Sequence, residues 1–359
     1  MVATRVHGVA AGVLAALLDS PDPLLIQVAE RDATSVFVVL LWRWAILSLI
    51  FAAFFACVRK RALRTLREHP FKVMAAGCSQ ACCFMGFSVS VCYTQTARAM
   101  LLIALAPMHA ALISLLWQGE VLRRRTQIAL ALMLGASVFV YLGARDVNAS
   151  FQASERAGDG NPRSDVVGDV VAFTAGLGFG GYLAIVRVIM IAGDGMDATA
   201  ASVIGSLISC CASGLAVFAR GEPAAGFHSH LGVAAVAVNA VLIFLFYSIM
   251  QYASKHAKAA DLSLTWLLSA SLAPLWVRVA GYDRGPYSWW TIAAFVTVIA
   301  TLAGHEVDAL WEEHRAASES ATLSMRCSCL AWRKTRPSVQ DPPGPPASEA
   351  SWLLKKAPA

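Results

Sequence analysis

Charged residues are scarce in this chain. Only 14% of its 359 residues are Asp, Glu, Lys or Arg, whereas soluble globular proteins carry roughly 25%. At the same time 57% of the residues are hydrophobic. A soluble fold with so few charged residues could not keep that much apolar surface away from water. The composition therefore excludes an ordinary soluble domain and predicts an integral membrane protein.

Several sequence motifs are also missing. The chain has no Gly-rich phosphate loop, no nucleophile elbow and no metalloprotease helix motif. Its net charge of +6 comes from residues in short loops and the C-terminal tail, and no extended basic surface is indicated. We therefore expect no enzyme, no cofactor and no nucleic-acid partner.

The nine cysteines predict neither a disulfide framework nor a metal centre. Cys78, Cys82 and Cys83 fall near one face of an apolar run, but no His or carboxylate accompanies them, so we expect small hydrophobic side chains and no metal. Cys327 and Cys329 lie beside basic residues in the tail, where palmitoylation and an unmodified disordered tail both stay open.

Long apolar runs are what the chain has in abundance. A helix needs about 20 apolar residues to cross the bilayer. The first run resembles a short secretory signal, but no small-residue cleavage site follows it, so we interpret it as a retained span. The ten predicted spans are 8–29, 35–58, 72–93, 97–118, 126–143, 168–190, 198–219, 231–252, 259–280 and 288–308.

The distribution of positive charge predicts the orientation of these spans. With the N-terminus in the cytosol, 20 of the 29 Lys and Arg side chains fall in cytosolic segments, which the positive-inside rule favours. Five spans per half make the second half enter the bilayer from the opposite side. We therefore predict an all-α integral membrane fold of ten transmembrane helices as two inverted five-helix repeats. Residues 1–143 and 168–310 are the repeats, 144–167 an extracytoplasmic linker and 311–359 a disordered cytosolic tail.

One stretch resembles a known family. It runs from Tyr93-Thr94-Gln95-Thr96-Ala97-Arg98 through Leu105-Ala106-Pro107 to Gln118-Gly119-Glu120, and it is similar to the fourth helix of the EamA-type drug/metabolite transporter superfamily. Arg43 matches an arginine typical of the second helix, and Gly168-Asp169 resembles the start of the second repeat. The similarity extends over roughly residues 8–306.

The resemblance implies ten helices in two inverted repeats and the transport of small polar metabolites. The second half departs from the family pattern. Gly281-Tyr282 stands where Gly-Glu is common, and the proline expected mid-helix near Leu268 is missing. The first span carries Asp19-Ser20-Pro21-Asp22-Pro23 where a Trp-Gly-type turn is usual.

That same Asp-Ser-Pro-Asp-Pro segment is the first candidate site. Two prolines remove backbone donors and break a helix, which a membrane tolerates only where the freed groups face protein or a water-filled cavity. We predict a broken span with Asp19 and Asp22 at membrane depth. The alternative is a helix that starts only after Pro23, with both carboxylates in solvent.

Arg43 and Asp22 are predicted at equal depth. Each lies about eight residues from the outer end of its span, which is about 12 Å at 1.5 Å per residue. Arg43 then either neutralises Asp22 or offers its guanidinium to an anionic solute. Asp19 has no evident partner in the sequence, and because low dielectric favours a protonated carboxyl, it is the candidate for proton coupling.

Other polar side chains at membrane depth complete the candidate set. His109 is a second candidate for proton transfer, although bundle histidines are commonly just hydrogen-bonded. The Gly176/Gly180 spacing indicates close helix packing, and the same segment brings Tyr182 to a cavity wall. Groups that hydrogen-bond or stack on a solute are Gln80, Tyr182, Asn239, Tyr247, Thr265 and Trp266.

We expect a secondary transporter that moves a small polar metabolite by alternating access, with proton coupling through Asp19. Two alternatives are a non-transporting receptor or scaffold with the same fold, and an intramembrane hydrolase that uses Asp19 and Asp22 as acid and base. The expected partners are a small-molecule solute and the bilayer, and a homodimer is left open. Both the plasma membrane and an endomembrane are compatible with the sequence.

Overall fold

Helices account for the regular structure of the described residues. The computed structural model describes residues 2–94, 96–119, 165–193, 196–224, 226–257 and 259–282, with scattered helical positions between 124 and 139 and between 289 and 315. Within these residues there is no sheet, only one isolated β-bridge between Ala33 and Phe227. The described helices up to Val307 belong to one compact unit. In the second unit, residues 308–359, the Arg315 guanidinium lies 5.9 Å from the Trp311 ring centre.

The helices follow the apolar runs of the sequence. They are α1 Val2–Asp19, α2 Asp22–Asp32, α3 Val36–Glu68, α4 Pro70–Tyr93, α5 Thr96–Ile103, α6 Ala106–Gln118, α7 Asp165–Ile191, α8 Thr199–Ala219, α9 His230–Ala253 and α10 Ala259–Val279.

Seven segments of this part of the chain are long and apolar enough to cross a membrane: His7–Asp32, Val36–Glu68, Pro70–Tyr93, Arg98–Trp117, Val167–Ile191, Thr199–Ala219 and His230–Ala253. Helix α10, with 21 residues, follows these seven segments. The chain is therefore a multi-pass membrane protein. The predicted spans 126–143 and 288–308, and the linker 144–167 up to residue 164, lie largely outside the described residues.

The predicted break in the first span is present. Helix α1 ends at Asp19 and α2 begins at Asp22. Pro21 lacks the N–H that a continuous helix would direct at the Leu17 carbonyl, and the Ser20 hydroxyl donates to that carbonyl instead, at 2.8 Å. The alternative of a helix that starts after Pro23 is wrong, because Asp19 and Asp22 are both buried.

The prediction for the fourth span needs correction. We expected one helix over 97–118, but the chain turns at Ala104 and Leu105 and forms α5 and α6. The cause is Pro107, which cannot donate to the Ile103 carbonyl. At the end of α6, Gly119 has φ +65° and closes the helix in a left-handed conformation that favours glycine.

Two other helices are longer than predicted. Helix α3 continues ten residues past the expected end at 58, because its charged last three turns stay helical, with Arg64 and Glu68 in an i,i+4 ion pair. Helix α7 begins at Asp165, so the last residues of the predicted linker are helical. The apolar runs therefore locate these helices without fixing the residues at which they begin or end.

Helices of the first half pack mainly against helices of the second half. Helix α1 contacts α9 and α10, α3 contacts α8, and α4 contacts α7 and α8. Small residues allow these contacts, as the Gly176/Gly180 spacing predicted. A Cβ atom added at Gly176 would lie 3.1 Å from the Ile103 carbonyl oxygen, and one at Gly180 2.7 Å from that of Ala106. Polar side chains at the centre of the bundle can therefore come from both halves of the chain.

Candidate functional site

A small cavity lies at the centre of the bundle, where the break between α1 and α2 meets α3, α4, α7, α9 and α10. The space open to the centre of a water molecule is about 20 Å³, enough for one or two waters and too small for a metabolite. Its lining residues are Asp19, Asp22, Arg43, Cys83, Phe84, Phe87, Phe179, Ile243, Phe246, Tyr247 and Trp266.

Asp22 and Arg43 form a buried ion pair at this cavity. The Arg43 Nη2 atom lies 2.7 Å from Asp22 Oδ2, and both side chains are almost inaccessible, at 2% and 4% exposure. The predicted pairing at equal depth is thus present. A charge taken out of water requires such a partner, since an unpaired ion inside a protein costs several kcal/mol.

Two neutral side chains complete this pair. Arg43 Nη1 donates to Ser88 Oγ at 2.8 Å, and Asn239 Nδ2 donates to Asp22 Oδ1 at 2.5 Å. The guanidinium also lies 4.4 Å from the Trp44 ring centre, a cation–π distance. Asn239, from α9, thereby ties the second half of the chain to an ion pair held by the first half.

Asp19 has separate partners. Its Oδ2 atom accepts hydrogen bonds from Trp266 Nε1 at 2.6 Å and Ser269 Oγ at 2.8 Å. The expectation of a carboxyl without partners is therefore wrong. Both donors stand on α10, about 250 positions along the chain, where local sequence gives no sign of them. Asp19 and Asp22 are thus held by different helices and share no hydrogen-bond partner among those described, which does not favour the paired acid and base of a hydrolase.

Aromatic rings form the walls of the cavity. Trp44 and Phe84 stack with their ring centres 4.3 Å apart, and Tyr247 stands edge-on to Phe84 at 4.9 Å. Phe179 packs against Trp266 at 4.8 Å. Rings in offset or edge contact are favoured beyond their buried area. These walls place two carboxylates and one guanidinium in a largely apolar enclosure, where charge interactions are strong.

The predicted candidates divide into two groups. Asp19, Asp22, Arg43, Tyr247 and Trp266 line the cavity, and Asn239 reaches it through Asp22. The remaining four candidates lie away from it.

Each of those four side chains packs elsewhere in the bundle. Gln80 packs against α8 at Gly205, and His109 lies against Phe173 at 5.0 Å. Tyr182 contacts Tyr247 at 5.2 Å from outside the cavity. The Thr265 hydroxyl donates to the Leu262 carbonyl within α10. A role for these four side chains in binding or coupling stays a prediction.

Sequence reasoning missed the apolar half of the cavity. It treated Cys83 as a small hydrophobic side chain with no place in the site, yet this buried thiol lines the cavity, 3.7 Å from the Tyr247 hydroxyl oxygen. It passed over five lining residues: Phe84, Phe87, Phe179, Ile243 and Phe246. The Phe84/Phe87 pair had a weak signal, because i,i+3 aromatics share one helix face. Within the described residues no group of three or more His, Cys, Asp or Glu side chains is placed to hold a metal ion.

The family model for EamA-like transporters matches residues 6–142. This segment is similar to the EamA-like transporter family. The match covers the α1–α6 region, including the broken first span and Arg43, and is consistent with the drug/metabolite transporter superfamily. The family is one of transporters, and the match suggests a transporter of the drug/metabolite type.

The chain is also similar in fold to a solved structure. The chain is 19% identical to a protein of known crystal structure, with a TM-score of 0.60 over 87% of this chain and 99% of that one. At this identity the likeness shows the fold alone. No curated protein matches the chain.

The cavity joins the EamA-like segment to the second half. The segment supplies Asp19, Asp22, Arg43 and three walls from α4, while α7, α9 and α10 supply the other five lining residues. A site divided in this way changes shape whenever the two halves move.

Proposed function

We propose that the protein is a secondary transporter that carries a small polar metabolite by alternating access. The observation that carries this proposal is a small, charged cavity lined by residues of both halves of the chain, the first of which matches the EamA-like family. Transporters built from repeats place their solute near the bilayer midplane, between the repeats and beside broken helices. The break at Ser20-Pro21 next to the cavity fits that plan.

The proposed architecture is ten spans in two inverted five-helix repeats, residues 1–143 and 168–310. The linker 144–167 lies outside the cytosol, and the tail 311–359 and the N-terminus inside it. Pairing of first-half helices with second-half helices supports this arrangement. The positive charges at 59–67 lie at the end of the bundle where Thr65 meets Asp197, which we assign to the cytosol.

Hydrogen bonds join the two halves of the chain at both ends of the described bundle. At the outer end the Asp32 carboxylate accepts from the backbone amides of Ser229 and Gly232, at 3.0 and 3.1 Å. At the inner end the Thr65 hydroxyl accepts from the Asp197 amide at 2.9 Å. Since the cavity is too small for a metabolite, the solute enters when one of these ends opens. Opening them in turn is alternating access.

Asp19 is the proposed proton-coupling group. It is buried at the cavity, and its two partners are donors whose hydrogen bonds hold the carboxylate form. Burial acts the other way, since a low dielectric favours the protonated form. A carboxyl balanced between these effects takes up and releases a proton as the cavity opens to either side. The Asp22–Arg43 pair keeps the neighbouring charge fixed meanwhile.

Flux measurements in proteoliposomes test this function. A thermal-shift screen of metabolites against the pure protein first identifies a ligand, since a ligand of the folded state raises its melting temperature. Uptake of that ligand is then followed with and without a pH gradient. We expect Asp19→Asn to lose accumulation driven by the gradient and to keep solute exchange, while Glu68→Gln, an exposed acid at a helix end, behaves as wild type.

Three outcomes separate the functions. Uptake that responds to the gradient in wild type only supports the proton-coupled carrier. Gradient-independent uptake in both proteins leaves transport standing and removes the role of Asp19. Binding of a metabolite without any flux identifies a receptor, and the transport proposal is then wrong.

A further inference from the structure

A second set of buried polar groups lies one helical turn from the cavity. In the described residues the side-chain nitrogen and oxygen of Gln80, the hydroxyl of Ser48 and the indole nitrogen of Trp44 are buried without a hydrogen-bond partner. Gln80 and Trp44 are fully inaccessible, and Ser48 is 7% exposed. Buried polar groups normally find partners, because an unpaired one costs about 1–3 kcal/mol. Three buried side chains without partners so close to the cavity therefore suggest that a ligand or water binds them.

Ser48 and Gln80 lie beyond Trp44, on the facing sides of α3 and α4. Helices α3 and α4 run antiparallel, since a single residue, His69, joins them. Trp44 and Phe84 stack across this pair. Ser48 is four residues after Trp44, and Gln80 is four before Phe84, so both lie one turn further toward His69 on the same facing sides. Ser48 and Gln80 therefore project from the facing sides of the two helices, behind the stacked rings.

Helix α9 adds polar groups near Gln80. It starts at the same end as α3, because Asp32 binds the first amides of α9. Tyr247 packs on Phe84, and Gln251 follows it by one turn. The Gln251 amide donates to Tyr182 Oη at 3.1 Å and to Ser202 Oγ at 2.7 Å. We call Ser48, Gln80, Ser202, Gln251 and the Tyr182 hydroxyl the second polar layer.

A bare stretch of α8 backbone faces Gln80. A Cβ atom at Gly205 would lie 3.0 Å from Gln80 Cβ and 3.1 Å from Gln80 Oε1. Glycine thus leaves the Gln80 amide room that any larger residue would take. Apart from the Tyr182 phenol, the second polar layer contains amides and aliphatic hydroxyls, which recognise uncharged hydrogen-bonding groups.

We infer that the second polar layer is a second binding site on the transport path, which takes a hydroxyl or amide group of the solute through Gln80 and Ser48. The stacked Trp44 and Phe84 rings separate it from the cavity. Since Phe84 lines the cavity, separation of these rings joins the two sites and lets the solute move toward the inner end. This inference rests on the proposed transport function. It adds that the solute carries an uncharged hydroxyl or amide group.

Paired measurements of stability and transport test the second site. Gln80→Leu removes both amide atoms at similar volume. Because those atoms have no protein partner, its melting temperature should equal or exceed that of wild type. For the metabolite found by the screen above, KM should rise about tenfold, the effect of one lost hydrogen bond of moderate strength. Ser48→Ala should act in the same direction, whereas Ser271→Ala, whose buried hydroxyl is already bonded to the Leu267 carbonyl, should leave KM unchanged.

A labelling experiment needs no knowledge of the solute. In a background without the nine native cysteines, Ser48→Cys should react with a small, charged methanethiosulfonate reagent added to sealed proteoliposomes, and Ser271→Cys should not. If Gln80→Leu fails to fold, the labelling of Ser48→Cys alone tests the second binding site.

The outcomes also separate the two proposals. Wild-type KM in both Gln80→Leu and Ser48→Ala, or an unreactive Ser48→Cys, overturns the second site and leaves the transporter intact. Absence of flux for every ligand in wild-type protein overturns the transporter, and the second site with it.

Discussion

Removal of Arg43 should destabilise the protein far more than removal of the whole ion pair. Arg43→Met leaves the Asp22 carboxylate buried, with Asn239 as its one remaining side-chain partner among those described. Breaking a buried pair in this way costs about 3–5 kcal/mol. Asp22→Leu combined with Arg43→Met removes both charges, and replacing a whole buried pair is often nearly neutral. Ser88 and Asn239 then each lose a bond, at about 1 kcal/mol apiece. We therefore expect the double variant to be more stable than Arg43→Met by at least about 1 kcal/mol.

Chemical unfolding of wild type, Asp22→Leu, Arg43→Met and the double variant in mixed micelles measures this difference as a double-mutant cycle. The reasoning is refuted if Arg43→Met lies within about 1 kcal/mol of wild type, or if the double variant is the less stable of the two. Transport by the double variant then separates two roles. Wild-type flux makes the pair structural, and loss of flux in a folded protein assigns Arg43 or Asp22 to the solute. Arg43→Lys keeps the charge without the planar fork, so it shows whether geometry matters.

Three further predictions concern other parts of the molecule. Asp32→Ala removes the carboxylate that caps α9, which should lower the free energy of unfolding by about 1 kcal/mol and open the outer end. In a Phe87→Cys background, this opening should appear as faster thiol labelling from the outside. Gly12→Val should destabilise by about 1–3 kcal/mol in thermal unfolding, because its Cβ would lie 2.6 Å from Thr265 Oγ1, whereas Gly214→Ala, with ordinary contact at 3.5 Å, should be neutral. Cysteines at 150–165 should react with impermeant reagents from the side opposite the C-terminal tail, and labelling from the same side would contradict the inverted repeats.

Local chemistry predicted the most distinctive features of the site. The two prolines of Asp19-Ser20-Pro21-Asp22-Pro23 predicted the break, because proline cannot donate a backbone hydrogen bond. Equal depth predicted the Asp22–Arg43 pair, because the cost of an isolated charge demands a partner. In both cases the information lies within a few residues or in a simple count of helical rise.

Features that depend on distant residues were not predictable in this way. The donors to Asp19 stand on α10, and nothing near Asp19 in the chain points to Trp266 or Ser269. Pro107 was taken as part of the family pattern without its consequence, the turn between α5 and α6. The second half lacked a proline near Leu268, yet one is present six residues later, as Pro274 inside α10. Side-chain direction, more than helix position, decided which polar candidates reached the cavity.

The interrupted first span has a mechanical consequence. The piece before the interruption is fastened through Asp19 to α10, and the piece after it through Asp22 to α3 and α9. Because Pro21 has no N–H to continue the helical hydrogen bonds, α1 and α2 can rotate relative to each other about Ser20. Such a rotation changes the distance between the Asp19 and Asp22 carboxylates. Distance probes on α1 and α2 would therefore report the conformational change of the carrier directly.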